Sequence, residues 1–390
     1  MTVGMFDCWP RKVLCGPGSA LHVGGIITGM NKSRVLVFTD AGLKELPTVT
    51  KFVESLKAEG LDVSVFSEIG PNPTQGMVHT AVDLMRQAKP EVLIGIGGGS
   101  PIDVGKAANV VYTHGGDLRD YDVATGGVAR ICNKLLPYVA IPTTAGTGSE
   151  VSFVSVITDV PRRTKFGVVS PLLVPDVAVL DPELTVTMPP ALTASTGLDA
   201  LTHCIEAYTC SVGFAPADAM ALHGIRMISE SLRTAFTHGK DVGAREKMLV
   251  ASMMGGAAFT LNGLGICHAM AHQLSAFFDI PHGVANAILL PRAMGFNLEA
   301  NLGKFADIAV AMGADVRGLS QRDAAEKSIE MVEKLSRELG IPRYLDQVGA
   351  SKDKIPELVE RAVADPVHRT NPRPVTPADV EKMLRASFAG

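Results

Sequence analysis

The chain has 390 residues, beyond the roughly 250 to 300 at which one hydrophobic core stops growing, so two domains are expected. Thirty-six Lys and Arg stand against 40 Asp and Glu, a formal charge of −4 with no basic run able to track a phosphate backbone, which argues against a nucleic-acid partner. No stretch approaches the roughly 18 consecutive apolar residues of a membrane span, and the first residues lack an apolar core behind a basic start, so a soluble cytoplasmic protein is expected.

The first half of the chain alternates short β-branched runs with amphipathic helical patterns, the order of a parallel sheet covered by helices. Strands are predicted over 34–39 (RVLVFT), 62–66 (DVSVF), 92–96 (VLIGI), 138–142 (YVAIP) and 177–180 (VAVL). Apolar residues recurring at three and four positions predict helices over 43–59, 74–88 and 102–114. Asp40 follows the 34–39 strand, where a carboxylate can bond a ribose hydroxyl and repel a 2′-phosphate, which favours NAD(H) over NADP.

The strand at 92–96 runs into Gly97-Gly98-Gly99-Ser100-Pro101-Ile102-Asp103 and then a helical pattern. Glycines let a backbone approach an anion, Ser100 is expected to cap the helix and Pro101 to fill its first turn, and the helix N-terminus then favours a diphosphate. The order G-x-G-x-x-G is not present. After the next strand, Pro142-Thr143-Thr144-Ala145-Gly146-Thr147-Gly148-Ser149-Glu150 forms a second polar loop, and loops after parallel strands share one sheet edge.

Beyond Asp181-Pro182 the strand runs stop, and Ala-, Leu- and Met-rich helical patterns continue from Pro190 almost to the end, closing with a short helix over 378–386. The division expected is 1–185, a Rossmann-like α/β domain, and 186–390, an all-helical domain. Within the second, Asp199 and His203 lie four apart on one helix face, as do His268 and His272, and His282 opens a helix after Pro281. One such histidine would read as a hydrogen-bonded core residue. Two paired sets and a further histidine on apolar helices point to a cation held by nitrogen and oxygen, which suits Fe²⁺ or Zn²⁺ without choosing between them. Met253, Met254 and Met270 nearby read as core filling. The six cysteines (Cys8, Cys15, Cys132, Cys204, Cys210, Cys267) include no C-x-x-C pair and read as reduced, mostly buried thiols.

Together GGGSPID, PTTAGTGSEV, GLDALTHCIEAY, GICHAMAHQL and PHG resemble, in this order, the iron-containing (group III) alcohol dehydrogenases. The resemblance implies a dehydroquinate synthase-like architecture, α/β plus all-α, with the active site in the cleft between the domains. It implies that Asp199, His203, His268 and His282 ligate the metal, and that His272 stands beside metal and nicotinamide as a candidate proton relay. For the cofactor it implies Asp40, Asn72, Gly97, Gly98, Ser100, Asp103, Thr143, Thr144, Thr147, Ser149 and Lys165, and for assembly a homo-oligomer, dimer or larger. The activity implied is NAD(H)-linked interconversion of a small alcohol or diol and its aldehyde, anionic aldehydes included. Two alternatives are a metal- and NAD-dependent lyase of the dehydroquinate synthase type and a non-enzymatic NAD-binding protein. The lyase's phosphorylated sugar-acid substrate wants basic residues near the metal segments, whereas Phe259, Leu261, Leu264 and Phe277 there are apolar.

Overall fold

The computed structural model describes residues 9–389. Eight strands occur among them: β1 (Lys12–Cys15), β2 (Arg34–Phe38), β3 (Asp62–Phe66), β4 (Val92–Gly97), β5 (Tyr138–Pro142), β6 (Val154–Asp159), β7 (Thr164–Val169) and β8 (Val177–Leu180). Six form one parallel sheet in the order β1-β8-β5-β4-β2-β3, and β6 and β7 pair as a separate antiparallel hairpin. The chain divides into two compact units. One holds the described residues up to Thr144 together with Gly148–Thr187; the other holds Ala145–Thr147 and the chain from Met188 onward.

In the first unit the sheet is buried on both faces, as parallel sheets are. Successive β2 side chains alternate between layers: Val35 and Val37 join Ile27, Val49, Phe52 and Leu56, while Leu36 and Phe38 join Val78, Val82 and Met85. Each such fully buried side chain stabilises the fold by about 1.5–3 kcal/mol. Strands β2, β4 and β5 are consecutive neighbours, so the segments after them emerge side by side at the carboxyl edge.

The second unit is helical. Its long helices are Pro190–Thr209, Ala215–Thr237, Val242–Asn262, Ile266–Phe278, His282–Asn297 and Gln321–Glu338, and the closing helix, Pro377–Ala386, carries the Thr376 cap. Among the described residues no single helix is long and apolar enough to cross a membrane; Val242–Asn262 and Ile266–Phe278 meet that test only as a pair, which bends by 108°.

Several details differ from the sequence expectation. The helix expected over 43–59 is two pieces, Ala41–Lys44 and Pro47–Ala58, because Pro47 forces Leu46 into extended backbone. Ser100 does not cap its helix: the helix begins at Gly99, Gly98 is the N-cap without a side-chain bond, and Ser100 lies in the first turn. β1 and the β6–β7 hairpin were not expected. Of the cysteines, Cys204, Cys210 and Cys267 are buried, but Cys15 is exposed at the end of an edge strand and Cys132 on a loop; Cys8 lies outside the described residues.

Candidate metal centre and nucleotide loops

The helix Pro190–Thr209 is set by Pro190 at its first position and buries nearly its whole length from Thr193. It carries Asp199, His203 and, three residues further, Glu206. The helix Ile266–Phe278 brings His268 and His272, and His282–Asn297 begins on His282 itself. Close approach of these helices depends on Gly283: a Cβ there would fall on the Ser195 carbonyl oxygen and within 3.3 Å of Asp199 Cβ.

Ligand atoms of Asp199, His268 and His282 lie within 4.8 Å of one another. His203 is outside that group but stacks its ring on His268 at 4.6 Å between centroids, and Phe259 is tilted against it at 4.8 Å. His282 in turn stacks on His272 at 5.4 Å. Side-chain exposure is 1% for His268, 16% for His272 and 27% for His282, so solvent reaches the cluster from the His282 side.

Each of three imidazoles is gripped at Nδ1. His203 Nδ1–H donates to the Gly146 carbonyl at 3.1 Å, the His268 Nδ1 pairs with Glu206 Oε2 at 2.5 Å, and the His272 Nδ1 with Asp365 Oδ2 at 2.8 Å. A proton held at Nδ1 leaves Nε2 as the lone pair, the arrangement that second-sphere oxygens impose on metal-binding histidines. Burial, with His203 adjacent, keeps His268 neutral by pushing its pKa well below the usual value. Burial likewise pushes Glu206 up to about 7, against backbone N–H donors at Cys267, Gly265 and His268. Two imidazole nitrogens and a carboxylate converging on otherwise apolar helices are a donor set that fits a divalent cation.

The C-terminal segment completes this scaffold without supplying a ligand. Asp365 holds His272; Thr370 Oγ1 donates to Leu264 O at 2.6 Å; Asn371 Oδ1 accepts from Ile266 N at 3.2 Å and from Asn297 Nδ2 at 3.0 Å.

In the first unit, Thr143 N donates to Gly97 O at 2.8 Å, and a Cβ at Gly98 would lie in ordinary contact with Thr144, 3.5 Å from its Oγ1. At Gly97 a Cβ would meet Pro101 Cγ at 2.6 Å, so glycine is required. Asp40 uses Oδ1 to cap a one-turn helix at Leu43 N, 2.8 Å. The carboxylate of Asp103 accepts from Ser149 Oγ at 2.5 Å and from Val156 N at 3.0 Å, cross-linking the two loops; burial raises its pKa while Lys106 and Lys165 draw it back. Asn72 sits at a left-handed turn (φ 46°) beside Pro73 and Thr74, to which the hairpin attaches through Thr158, and Thr158 pairs with Lys165. Thr147 differs: it groups with the second unit, because Gly146 packs against Thr196 of the Pro190–Thr209 helix.

Residues not singled out in the sequence surround both sites. Glu206 and Asn286 were legible as helix-face partners, three residues after His203 and four after His282. Asp365 carried no local signal. In the first unit, Lys106 Nζ, buried, donates to the carbonyls of Ser149, Ser152 and Val154 at 2.6, 2.7 and 3.1 Å. Beside it, buried Glu150 has no hydrogen-bond partner of good geometry for either oxygen, and burial raises its pKa to about 7. A cavity of about 690 Å³, at the amino ends of β1, β5 and β8, is lined by Arg11, Lys12 and Lys134 among others and by none of the expected site residues.

Residues 10–182 match the family model for iron-containing alcohol dehydrogenase, and 193–388 the C-terminal model of the Fe-containing alcohol dehydrogenase family. The chain is 40% identical to a 1,3-propanediol dehydrogenase of Klebsiella pneumoniae over the whole of both. It resembles a crystal structure of 1,3-propanediol oxidoreductase with a TM-score of 0.95 at 40% identity, covering 99% of this chain and 100% of that one. A sulfoacetaldehyde reductase from Bifidobacterium kashiwanohense, in complex with NAD⁺, is similar with a TM-score of 0.88 at 29% identity over 99% of each chain.

Proposed function

Because this chain belongs to the iron-containing alcohol dehydrogenase family, we propose that Asp199, His203, His268 and His282 hold its divalent cation, iron(II) in the first instance, with zinc(II) compatible with the same donors. The enzyme is an NAD-linked oxidoreductase of alcohols and aldehydes. The dehydrogenase reading, rather than the lyase or the binding protein, is the one the family carries. The observation that supports the ligand assignment best is the convergence of Asp199, His268 and His282 within 4.8 Å.

When bound, the cation supplies Lewis acidity to an alcohol or carbonyl oxygen, and the nicotinamide supplies or accepts the hydride. The chain's own groups do the rest. Glu206 and the Gly146 carbonyl fix the His268 and His203 tautomers so that Nε2 is the donor. His272, held at Nδ1 by Asp365, presents Nε2 as the site that takes or returns a proton. Gly97, Gly98, Ser100, Thr143 and Thr144 form the diphosphate cradle; Asp103 and Ser149 brace it by bonding each other; Asn72, Thr147 and Lys165 complete the nucleotide contacts. Asp40, with only Oδ1 used as a cap, favours NAD(H) over the phosphorylated cofactor.

The substrate is a small alcohol or diol and its aldehyde: the full-length relative at 40% identity is a 1,3-propanediol dehydrogenase, and the sulfoacetaldehyde reductase extends the class to anionic aldehydes. We place the enzyme in the cytoplasm as a homo-oligomer.

The test is NADH oxidation with small neutral and anionic aldehydes by metal-free protein reloaded with Fe²⁺ or Zn²⁺, repeated with NADPH. His268→Ala is expected to abolish turnover while NADH still binds, and His272→Gln to shift the pH–rate profile. Equal loss of NADH binding in His268→Ala, or no metal-dependent turnover with any aldehyde, overturns the reading; an unshifted profile removes His272 from proton transfer.

A further inference from the structure

We propose that Asn286 is a positioning residue of the metal centre, aiming the Asp199 carboxylate at the cation and so setting how tightly, and in what geometry, the cation is held. This rests on the ligand assignment above. Asn286 lies one helical turn after His282 on the same face and is fully buried. Its Nδ2 is 2.7 Å from Asp199 Oδ1, 3.1 Å from His282 Nε2 and 3.2 Å from His268 Nε2. Those three atoms belong to the three residues whose ligand atoms converge.

A primary amide has two N–H groups, so it cannot give three acceptors a full bond each. Asp199 is the nearest and the charged one, and a bond to a carboxylate is roughly twice as strong as one between neutral groups. The carboxylate itself fixes the amide's orientation, because turning the amide over would press Oδ1 against Asp199 Oδ1; Cys267 Sγ, with one S–H, lies 3.6 Å from the Asn286 backbone O and 3.7 Å from Oδ1. An N–H and a cation cannot share one imidazole lone pair. With a cation on His268 and His282, the Asp199 oxygen is therefore the acceptor that keeps Asn286 in place. Asn286 carries no charge, so it orients the carboxylate without altering the charge of the site.

The test uses the full chain, stripped of metal and titrated with Co²⁺, as parent, Asn286→Leu (matched in shape, without donor) and Asn286→Ala. Metal affinity is read by equilibrium dialysis, ligand geometry by the visible Co²⁺ absorption, folding of the helical unit by far-UV circular dichroism, and the nucleotide unit by NADH binding. Removing an orienting partner of a metal ligand is expected to raise the Co²⁺ dissociation constant about 10- to 100-fold and to change the visible band, with NADH binding retained. A purely structural role would lower thermal stability and leave the band as it is. Co²⁺ affinity within twofold of the parent in both variants, or an unchanged band, overturns the inference. If instead Asp199→Ala binds Co²⁺ as the parent does, the ligand assignment itself fails.

Discussion

Replacing Lys106 with methionine tests how the two nucleotide loops are held together. Methionine keeps the length and most of the volume of the side chain but removes the ammonium that binds the carbonyls of Ser149, Ser152 and Val154. Hydrogen bonds to a charged group contribute about 1.5–3 kcal/mol each, so their loss costs roughly 5–9 kcal/mol before any offset. The offset is the relief of burying a charge: desolvation lowers the Lys106 pKa from 10.5 to about 8, even though Asp103 and Glu150 pull it back up. At about 1.4 kcal/mol per pH unit that relief is about 3 kcal/mol, leaving a net local loss of about 2–6 kcal/mol. The range overlaps the about 3–5 kcal/mol lost when one partner of a buried ion pair is removed. Because the chain has two compact units, a global melt would blur the effect; amide hydrogen exchange over 149–156 reads it directly. A loss of about 2 kcal/mol speeds exchange there roughly 30-fold, and NADH binding should weaken with it. Exchange within threefold of the parent, with NADH affinity unchanged, would refute the idea that this lysine ties the loops.

Two more expectations follow from single side chains. Gly283→Ala places a methyl on the Ser195 carbonyl, so the first turn carrying His282 must move, and metal affinity by equilibrium dialysis should fall at least tenfold while NADH affinity holds. Glu150→Gln should change the pH dependence of stability: burial raises the carboxyl from 4.5 to about 7, so between those values the folded chain keeps a proton that the unfolded chain releases. This residue's contribution is therefore most favourable below 4.5 and is lost as pH rises to 7, by about 3 kcal/mol. Glutamine removes that slope, so the variant-minus-parent difference in amide-exchange protection over 149–156 should grow from pH 4.5 to 7 and level off above; a flat difference contradicts it.

The parallel strands were legible because their apolar runs end in Gly, Thr, Ser or Asp: DVSVF, half-buried, and YVAIP and VAVL, buried throughout, fold over the residues that the pattern marked. β1, four residues on a sheet edge with both ends exposed, offers almost no such contrast. The hairpin did carry a signal, since β6 alternates half-buried and buried positions, but it stands beside a loop whose polar residues draw attention to a ligand instead. Ser100 shows the limit of cap rules: a serine one position inside the turn looks like a cap until the glycine before it takes the extended backbone. Of the proposed metal ligands, i, i+4 spacing located Asp199, His203 and His268, and the helix start after Pro281 located His282, but only the family resemblance set His272 apart from them. What spacing could not supply is the grip on each imidazole from behind. The Asp365 carboxylate reaches His272 from 93 residues away, and the Gly146 carbonyl reaches His203 from 57 away, so both depend on tertiary packing.

That grip has a consequence for the order in which the protein is made. The last of the four proposed ligands, His282, leaves the ribosome well before the segment that clasps the Ile266–Phe278 helix through Asp365, Thr370 and Asn371. A nascent chain thus exposes the complete set of donor side chains while the contacts that fix the helix bearing His268 and His272 are still unsynthesised. Binding at that stage would be to loosely oriented groups, open to any divalent cation at hand. The contacts that fix the helix bearing His268 and His272 arrive only with residues 365–371.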